Sequence, residues 1–228
     1  MTQNIETLEK SHKVWLTTLT LLAFVCAAMV YFFSSNHFNR SGATLLGDRV
    51  ASLVSPPKSL SDFQVVSTDE QPFTARNLAG KWTFIVFGFT YCPDICPTTL
   101  SVLTEVRELL SREISGAADV NFILVTVDPQ RDTVAALKQY VEHFDSHFLG
   151  LSGVDLQIRN LANQLNASFE ITKDRDSDNY SVSHSASLYL IDPQARHYAT
   201  YVVPLDATFI SERFNVFKRL YAASIGAL

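Results

Sequence analysis

Two kinds of apolar run alternate through the middle of this chain. Trp82 to Phe89 is short, aromatic and branched, the pattern of a strand buried on both faces. Leu100, Leu103, Val106 and Leu110 then recur at helical spacing and predict a helix to about Ile114. Asn121 to Val127 repeats the strand pattern and stops at Asp128-Pro129. From Thr133 to Phe144 the apolar residues Val134, Leu137, Tyr140, Val141 and Phe144 share one helical face, with Asp132 as the expected cap. A strand–helix–strand–helix order of this kind builds a parallel sheet through crossover connections.

Weaker patterns flank this centre. Leu60–Val66 and Pro72–Leu78 predict short strands, and Leu156–Asn166 a short helix. Ala186–Ile191 and His197–Val203 predict a hairpin about the turn Asp192–Ala195, before a last amphipathic helix from about Thr208 to Ala222. The expected fold is α/β, a central mixed sheet flanked by helices, with ligands at the carboxyl ends of its strands.

The N-terminal pattern is different. Val14 to Phe33 is an uncharged, mostly apolar stretch of twenty residues, the length of a membrane-crossing helix. Lys10 and Lys13 precede it and Arg40 is the one basic residue soon after, which orients residues 1–13 to the cytoplasm and the remainder outside. The run exceeds a signal-peptide core and no small-x-small cleavage site follows, so the sequence predicts a retained anchor at 14–33. Cys26 reads as a membrane-embedded side chain, since Phe24-Val25 precede it where a lipoprotein signal has small residues. A tether with Gly42, Gly47, Pro56 and Pro57 is expected over 34–57, and one folded domain over 58–228. The little room ahead of Val14 for an Arg-rich transit peptide favours a bacterial inner membrane, single-pass, with the domain in the periplasm.

Charge narrows the partners. Residues 41–228 carry 15 basic against 21 acidic side chains, which disfavours nucleic acid. The same stretch contains two cysteines, too few for a disulfide scaffold, and so leaves them free for chemistry. They are Cys92 and Cys96, at the junction of the Trp82 strand and the helix that follows. Pro93 and Pro97 suit a helix start, and the free N–H groups there predict that both sulfurs are more ionised at neutral pH than an isolated cysteine. The four-residue spacing is neither the C-x-x-C of thioredoxin-type exchange nor half of an all-cysteine zinc site. What remains is a reversible disulfide, a low-coordinate soft-metal site completed by another residue, or two thiols packed as small hydrophobes. Among six histidines, His184 stands apart at the entry to the Ala186 strand, after an acidic excursion. An imidazole there joined to both sulfurs gives a ligand set of two sulfurs and one nitrogen, which suits Cu(I) and, with an added ligand, Cu(II). His12, His37, His143, His147 and His197 read as solvated or core-edge side chains.

Four ordered segments carry a family resemblance: Gly88-Phe-Thr-Tyr-Cys92-Pro-Asp-Ile-Cys96-Pro-Thr98, Thr126-Val-Asp-Pro-Gln-Arg-Asp-Thr133, Phe144–Gly153, and the lone histidine before Leu188-Tyr-Leu-Ile-Asp192. Together they resemble the SCO/SenC family, from about Leu60 to the C-terminus. The resemblance implies a membrane-tethered, thioredoxin-like protein that binds copper through Cys92, Cys96 and His184. It further implies a metallochaperone that assists the binuclear copper centre of cytochrome c oxidase subunit II. Such a protein works beside a copper donor chaperone and a thioredoxin-type thiol reductant. Asp94 and Asp128 match family positions and are expected to support the site. The family commonly has Asp directly before the histidine, whereas this chain has Ser183, which implies an altered copper affinity or hand-over rate.

Two other roles compete with delivery. A thiol–disulfide oxidoreductase that keeps oxidase cysteines reduced needs the Cys92–Cys96 pair but has little use for His184, and a copper or redox sensor is not separable from a chaperone by sequence. No catalytic residue is expected beyond that pair. A peroxiredoxin does not normally pair its cysteine at this spacing. Asp174–Asn179 has the alternating carboxylates of a calcium loop, but Asn179 and Ser185 stand where glycine and glutamate belong, so it reads as a solvated acidic loop.

Overall fold

The computed structural model describes Met29 and residues 50–61, 63–112, 120–173 and 180–226. The chain divides into two units, Met1–Asp48 and Arg49–Leu228. Apart from Met29, the anchor expected at 14–33 lies outside the described residues, as do the Asp174–Asn179 loop and most of the tether. Among the described residues no helix is long and apolar enough to cross a membrane.

The second unit is an α/β sandwich around an eight-stranded sheet. Its strands are β1 (Val50–Ser59), β2 (Val65–Ser67), β3 (Pro72–Phe73), β4 (Trp82–Gly88), β5 (Val120–Thr126), β6 (Phe148–Ser152), β9 (Leu188–Ile191) and β10 (Arg196–Val202), and β7 (Phe169–Lys173) pairs with β8 (Tyr180–His184) in a separate two-stranded sheet. The helices are α1 (Ile95–Ser111), α2 (Val134–Phe144), α3 (Asp155–Gln164) and α4 (Ala207–Gly226). In the order β1-β10-β9-β4-β5-β6-β2-β3, the central β4, β5 and β6 run parallel while β9, β10, β1 and β2 add antiparallel pairs. The mixed sheet and helix order expected from the pattern are therefore present.

The β4 strand shows why the apolar runs sit at the centre. Every residue from Trp82 to Gly88 is buried. Trp82, Phe84 and Val86 face a core shared with α1, α2 and α4, while Ile85 and Phe87 face one shared with α3 and the Leu60–Leu78 segment. Burying side chains on both faces contributes roughly 1.5–3 kcal/mol for each large one, which an exposed strand would forgo. The long α4 helix buries Ala207, Ile210, Phe214, Phe217 and Tyr221 at helical spacing, and the Trp82 ring meets Tyr198, Phe214 and Tyr221 edge-on at 5.2–5.5 Å.

Two expectations need correction, and one strand was not expected. The tether does not reach residue 57, because Val50–Ser59 forms strand β1 against β10. Pro56 and Pro57 are tolerated because β1 is an edge strand, and its register shifts between Leu53 and Lys58. The Phe148–Ser152 run, unassigned by pattern, is strand β6; at five residues it is too short to show a period. Asp132 does not cap α2. Thr133 takes that place, its hydroxyl accepting from the Ala136 amide, and Asp132 turns elsewhere.

Candidate metal centre

Strand β4 ends at Gly88, and the chain crosses to α1 through Phe89–Asp94. The Cys92 amide donates to the Phe89 carbonyl at 3.2 Å, closing a turn that places Cys92 one helical turn before Cys96. Cys96 lies in the first turn of α1, yet its side chain belongs to the core on the α3 face of the sheet and is 2% exposed. Cys92 is partly exposed, and both thiols are free. The close approach of strand and helix requires Gly88: a Cβ there would lie 2.8 Å from Cys96 Sγ and 3.0 Å from Leu124 Cδ1.

The histidine arrives from the other sheet. His184 ends β8 opposite Phe169, so the segment expected as an excursion into the Ala186 strand is a separate hairpin. Its polar sequence hides the strand because backbone pairing, not burial, holds it. Two contacts past the histidine fix its position: the Ser185 amide donates to the Ser168 carbonyl at 2.8 Å, and the Ser185 hydroxyl meets the Tyr189 hydroxyl at 3.2 Å. The Phe89 ring lies edge-on to the imidazole, centroids 5.9 Å apart.

The three ligand atoms, one from each of Cys92, Cys96 and His184, all lie within 4.8 Å of one another. His184 Nε2 is 3.2 Å from Cys96 Sγ. On the far side of the ring, Nδ1 donates to the Ser185 carbonyl at 3.1 Å. That bond fixes the tautomer and leaves the Nε2 lone pair directed at the sulfurs, as a metal-binding imidazole requires. Burial lowers the pKa of His184, opposed by its Ser185 backbone hydrogen bond, so the ring is neutral at pH 7.

The thiol chemistry differs from expectation at Cys96. Burial pushes its pKa well above the usual range, and the Cys92 thiol and the Asp132 charge add to the rise; a backbone hydrogen bond from Phe89 opposes it. The helix start does favour a thiolate, but desolvation in an apolar pocket outweighs it. Deprotonation of Cys96 therefore needs a compensating positive charge, which a soft cation between the three side chains would supply.

The expected supporting residues divide. Asp94 is exposed and its side chain caps nothing; its carbonyl accepts from the Thr98 amide and hydroxyl. Asp128 is buried and holds Arg131, whose guanidinium covers the Phe89 and Tyr91 rings at 5.8 and 5.4 Å. Ser183 pairs with Glu170 and, by strand alternation, projects from the opposite face of the hairpin to His184. The partner that orients the imidazole is the Ser185 carbonyl, not residue 183. His143 and His147 lie elsewhere, the latter paired with Asp145 at the surface. His197 is buried within β10 with Nε2 2.9 Å from the Thr200 hydroxyl. Gly88 and Ser185 shape the site without a role that the sequence pattern announces, and Asp132, expected as a helix cap, instead bonds Thr90.

Residues 53–216 match the SCO1/SenC family. The chain belongs to that family. A SCO2-like protein of Rickettsia conorii is 37% identical over 137 residues, 60% of this chain and 65% of that protein, so the match falls just short of two thirds of the relative's length. A candidate copper-binding protein of Stutzerimonas stutzeri is 34% identical over 177 residues, 77% of this chain and 81% of that one. Among solved structures, copper-bound ScoI of Arabidopsis thaliana superposes with a TM-score of 0.62 at 33% identity, covering 70% of this chain and 96% of the other. The SCO1/SenC fold thus accounts for the sheet that carries the cysteine turn.

Proposed function

We propose that this SCO1/SenC protein is a copper-binding assembly factor that holds one copper ion through Cys92, Cys96 and His184 and passes it to the binuclear centre of cytochrome c oxidase subunit II. The convergence of two sulfurs and a lone-pair-bearing imidazole nitrogen within 4.8 Å carries the reading. Copper-bound relatives of the same fold support it. Two soft sulfurs suit Cu(I), and the imidazole supplies the borderline ligand that Cu(II) prefers.

The exposure difference gives hand-over a direction. Cys92 and His184 are both partly exposed, so a partner's ligand reaches the ion from their side, while the buried Cys96 holds it from within. Copper arrives from a donor chaperone, and a thioredoxin-type reductant keeps the pair as thiols, since a Cys92–Cys96 disulfide does not bind the ion. Residues 14–33 act as a single-pass anchor in a bacterial inner membrane, residues 34–49 as the tether, and the folded unit faces the periplasm.

A reductase reading also has an observation in its favour: the Cys92 and Cys96 sulfurs are both free thiols and lie within 4.8 Å of each other. Titration of the reduced, purified full-length protein with Cu(I) and Cu(II), beside Cys92→Ser, Cys96→Ser and His184→Ala, separates the two. Copper delivery expects one ion per chain and loss of Cu(II) affinity in all three variants. Thiol exchange expects a model disulfide to be reduced at the same rate with and without His184, and no copper retained.

A further inference from the structure

We propose that the end of the sheet carrying the metal centre is the face by which this protein grips its copper acceptor, and that the acceptor's matching surface is apolar at its middle and basic at its rim. The proposal rests on the copper reading above. β9 runs antiparallel to β4 and β10 antiparallel to β9, so β10 runs with β4, β5 and β6, and the carboxyl ends of all four meet at one end of the sheet. In the strand order, β4 lies two strands from β10 on one side and two from β6 on the other. At about 4.8 Å per strand, the cysteine turn that follows β4 has a flank roughly 10 Å away on each side.

Both flanks are apolar and open. On the β10 side, a groove of about 410 Å³ runs between the first turns of α1 and the β10–α4 connection, lined mainly by Ile95, Val102, Val203, Pro204 and Leu205. On the β6 side, a hollow of about 560 Å³ lies between Pro129, Val154 and Ile171. Val154 and Leu156, at the start of α3, are 68% and 73% exposed, Val203 is 42% exposed, and Tyr91, next to Cys92, 66%. Large apolar side chains left in water on both sides of one reactive turn form a contact surface, unlike the isolated exposures that any protein carries. Leu220 and Ile225 are isolated exposures of that kind, in the later turns of α4 and away from this end.

Charge decides between lipid and protein as the occupant. Arg131 and Arg159 are paired with Asp128 and Asp155, whereas the exposed carboxylates of Asp94 and Glu170 take part in no ion pair among the described residues. That imbalance repels anionic headgroups and attracts cations on the rim of a protein partner. Apolar contact on two flanks would hold the acceptor over the cysteine turn while its own ligands reach the ion.

The test uses the full-length protein in lipid nanodiscs, with the reduced, copper-free soluble domain of cytochrome c oxidase subunit II as the probe. Val203→Asn and Leu156→Asn are each expected to weaken binding of that domain by on the order of tenfold, and Leu220→Asn by about twofold or less. Cu(I) affinity, measured by chelator competition, is expected to stay unchanged in all three. Raising salt from about 0.05 to about 0.5 M should weaken the parent's binding several-fold, and Asp94→Asn combined with Glu170→Gln should flatten that dependence. Equal effects at Val203, Leu156 and Leu220 overturn the docking face, and binding indifferent to salt overturns the basic rim. Hydrogen–deuterium exchange of the peptides spanning Val202–Leu205 and Gly153–Leu156 identifies the occupant, with protection expected only once the domain is added. Protection gained on transfer from detergent to nanodiscs alone would give the face to lipid, and protection that grows with protein concentration alone would give it to a second copy; either overturns the proposal. A parent that binds copper but not the domain overturns the docking face alone, whereas one that binds the domain but no copper upholds the face and removes the copper reading.

Discussion

The two halves of the candidate centre are built in opposite ways. The cysteines hang from the end of β4, a central strand buried along its whole length, and are backed by Gly88, Asp132 and Thr126. The histidine hangs from a two-stranded hairpin of largely polar sequence, held by the Ser168–Ser185 backbone contact and the Tyr189 hydroxyl. A site divided in this way has a stiff sulfur floor and a more yielding imidazole cover. On the proposed copper reading, the sulfur floor would set whether a soft ion binds at all, and the imidazole cover which oxidation state is preferred.

The largest test removes the floor. Cys92→Ser or Cys96→Ser is expected to lower Cu(I) affinity by more than about a hundredfold, the upper end for loss of an outer partner, because a hydroxyl is a poor ligand for a soft ion. His184→Ala is expected to cost Cu(I) far less than it costs Cu(II), with the thiolate-to-Cu(II) absorption band altered. Equal losses for both ions in chelator competition would erase the distinction between floor and cover.

Acid should reach the sheet through a histidine that is not in the site. Burial, opposed by the Ala199 backbone and helped by the Lys58 charge, pushes the His197 pKa down to about 4. Its unfolded value is about 6.5, so as pH falls from there towards 4 the unfolded chain takes up a proton that the folded one refuses. Stability is therefore fully present above about pH 6.5 and declines below it, by roughly 3 kcal/mol at most from this group. Urea unfolding at pH 7 and pH 5 measures the loss, and His197→Gln should flatten it. Since the His197 ring lies 5.7 Å from that of Tyr189, which contacts Ser185, acid is expected to loosen the histidine cover before the sulfur floor.

A smaller effect is expected where strand and helix meet. Gly88→Ala forces a methyl against Cys96 Sγ and Leu124, and overpacking of this kind costs about 1–3 kcal/mol. Thermal unfolding reads the cost, and a copper affinity that falls with it would show that the floor cannot yield. The smallest effect belongs to Ser183→Asp. The new carboxylate would project away from the imidazole, whose Nδ1 is already engaged by the Ser185 carbonyl. Copper affinity should change by about twofold or less, a screened charge effect; a tenfold change would mean that the hairpin turns its other face to the ion.

Sequence alone determined the strands and helices whose apolar period is long or dense, because burial of Trp82–Gly88 on both faces or of one stripe on α4 leaves a pattern that local reading detects. It also marked Cys92 and Cys96, the two cysteines of residues 41–228, and His184, set apart from the other histidines by its place at a strand entry. Tertiary structure decided the rest. Strands β1, β6 and β8 depend on neighbours for their backbone hydrogen bonds, and a short or polar strand has no periodic signature of its own. The ionisation of Cys96 depended on which of two opposing effects wins, the helix start or desolvation, and burial is a property of the packed fold. Asp132 read as a cap because a cap is a local device, whereas its partner Thr90 is 42 residues away and reaches it only once β4 and β5 lie side by side.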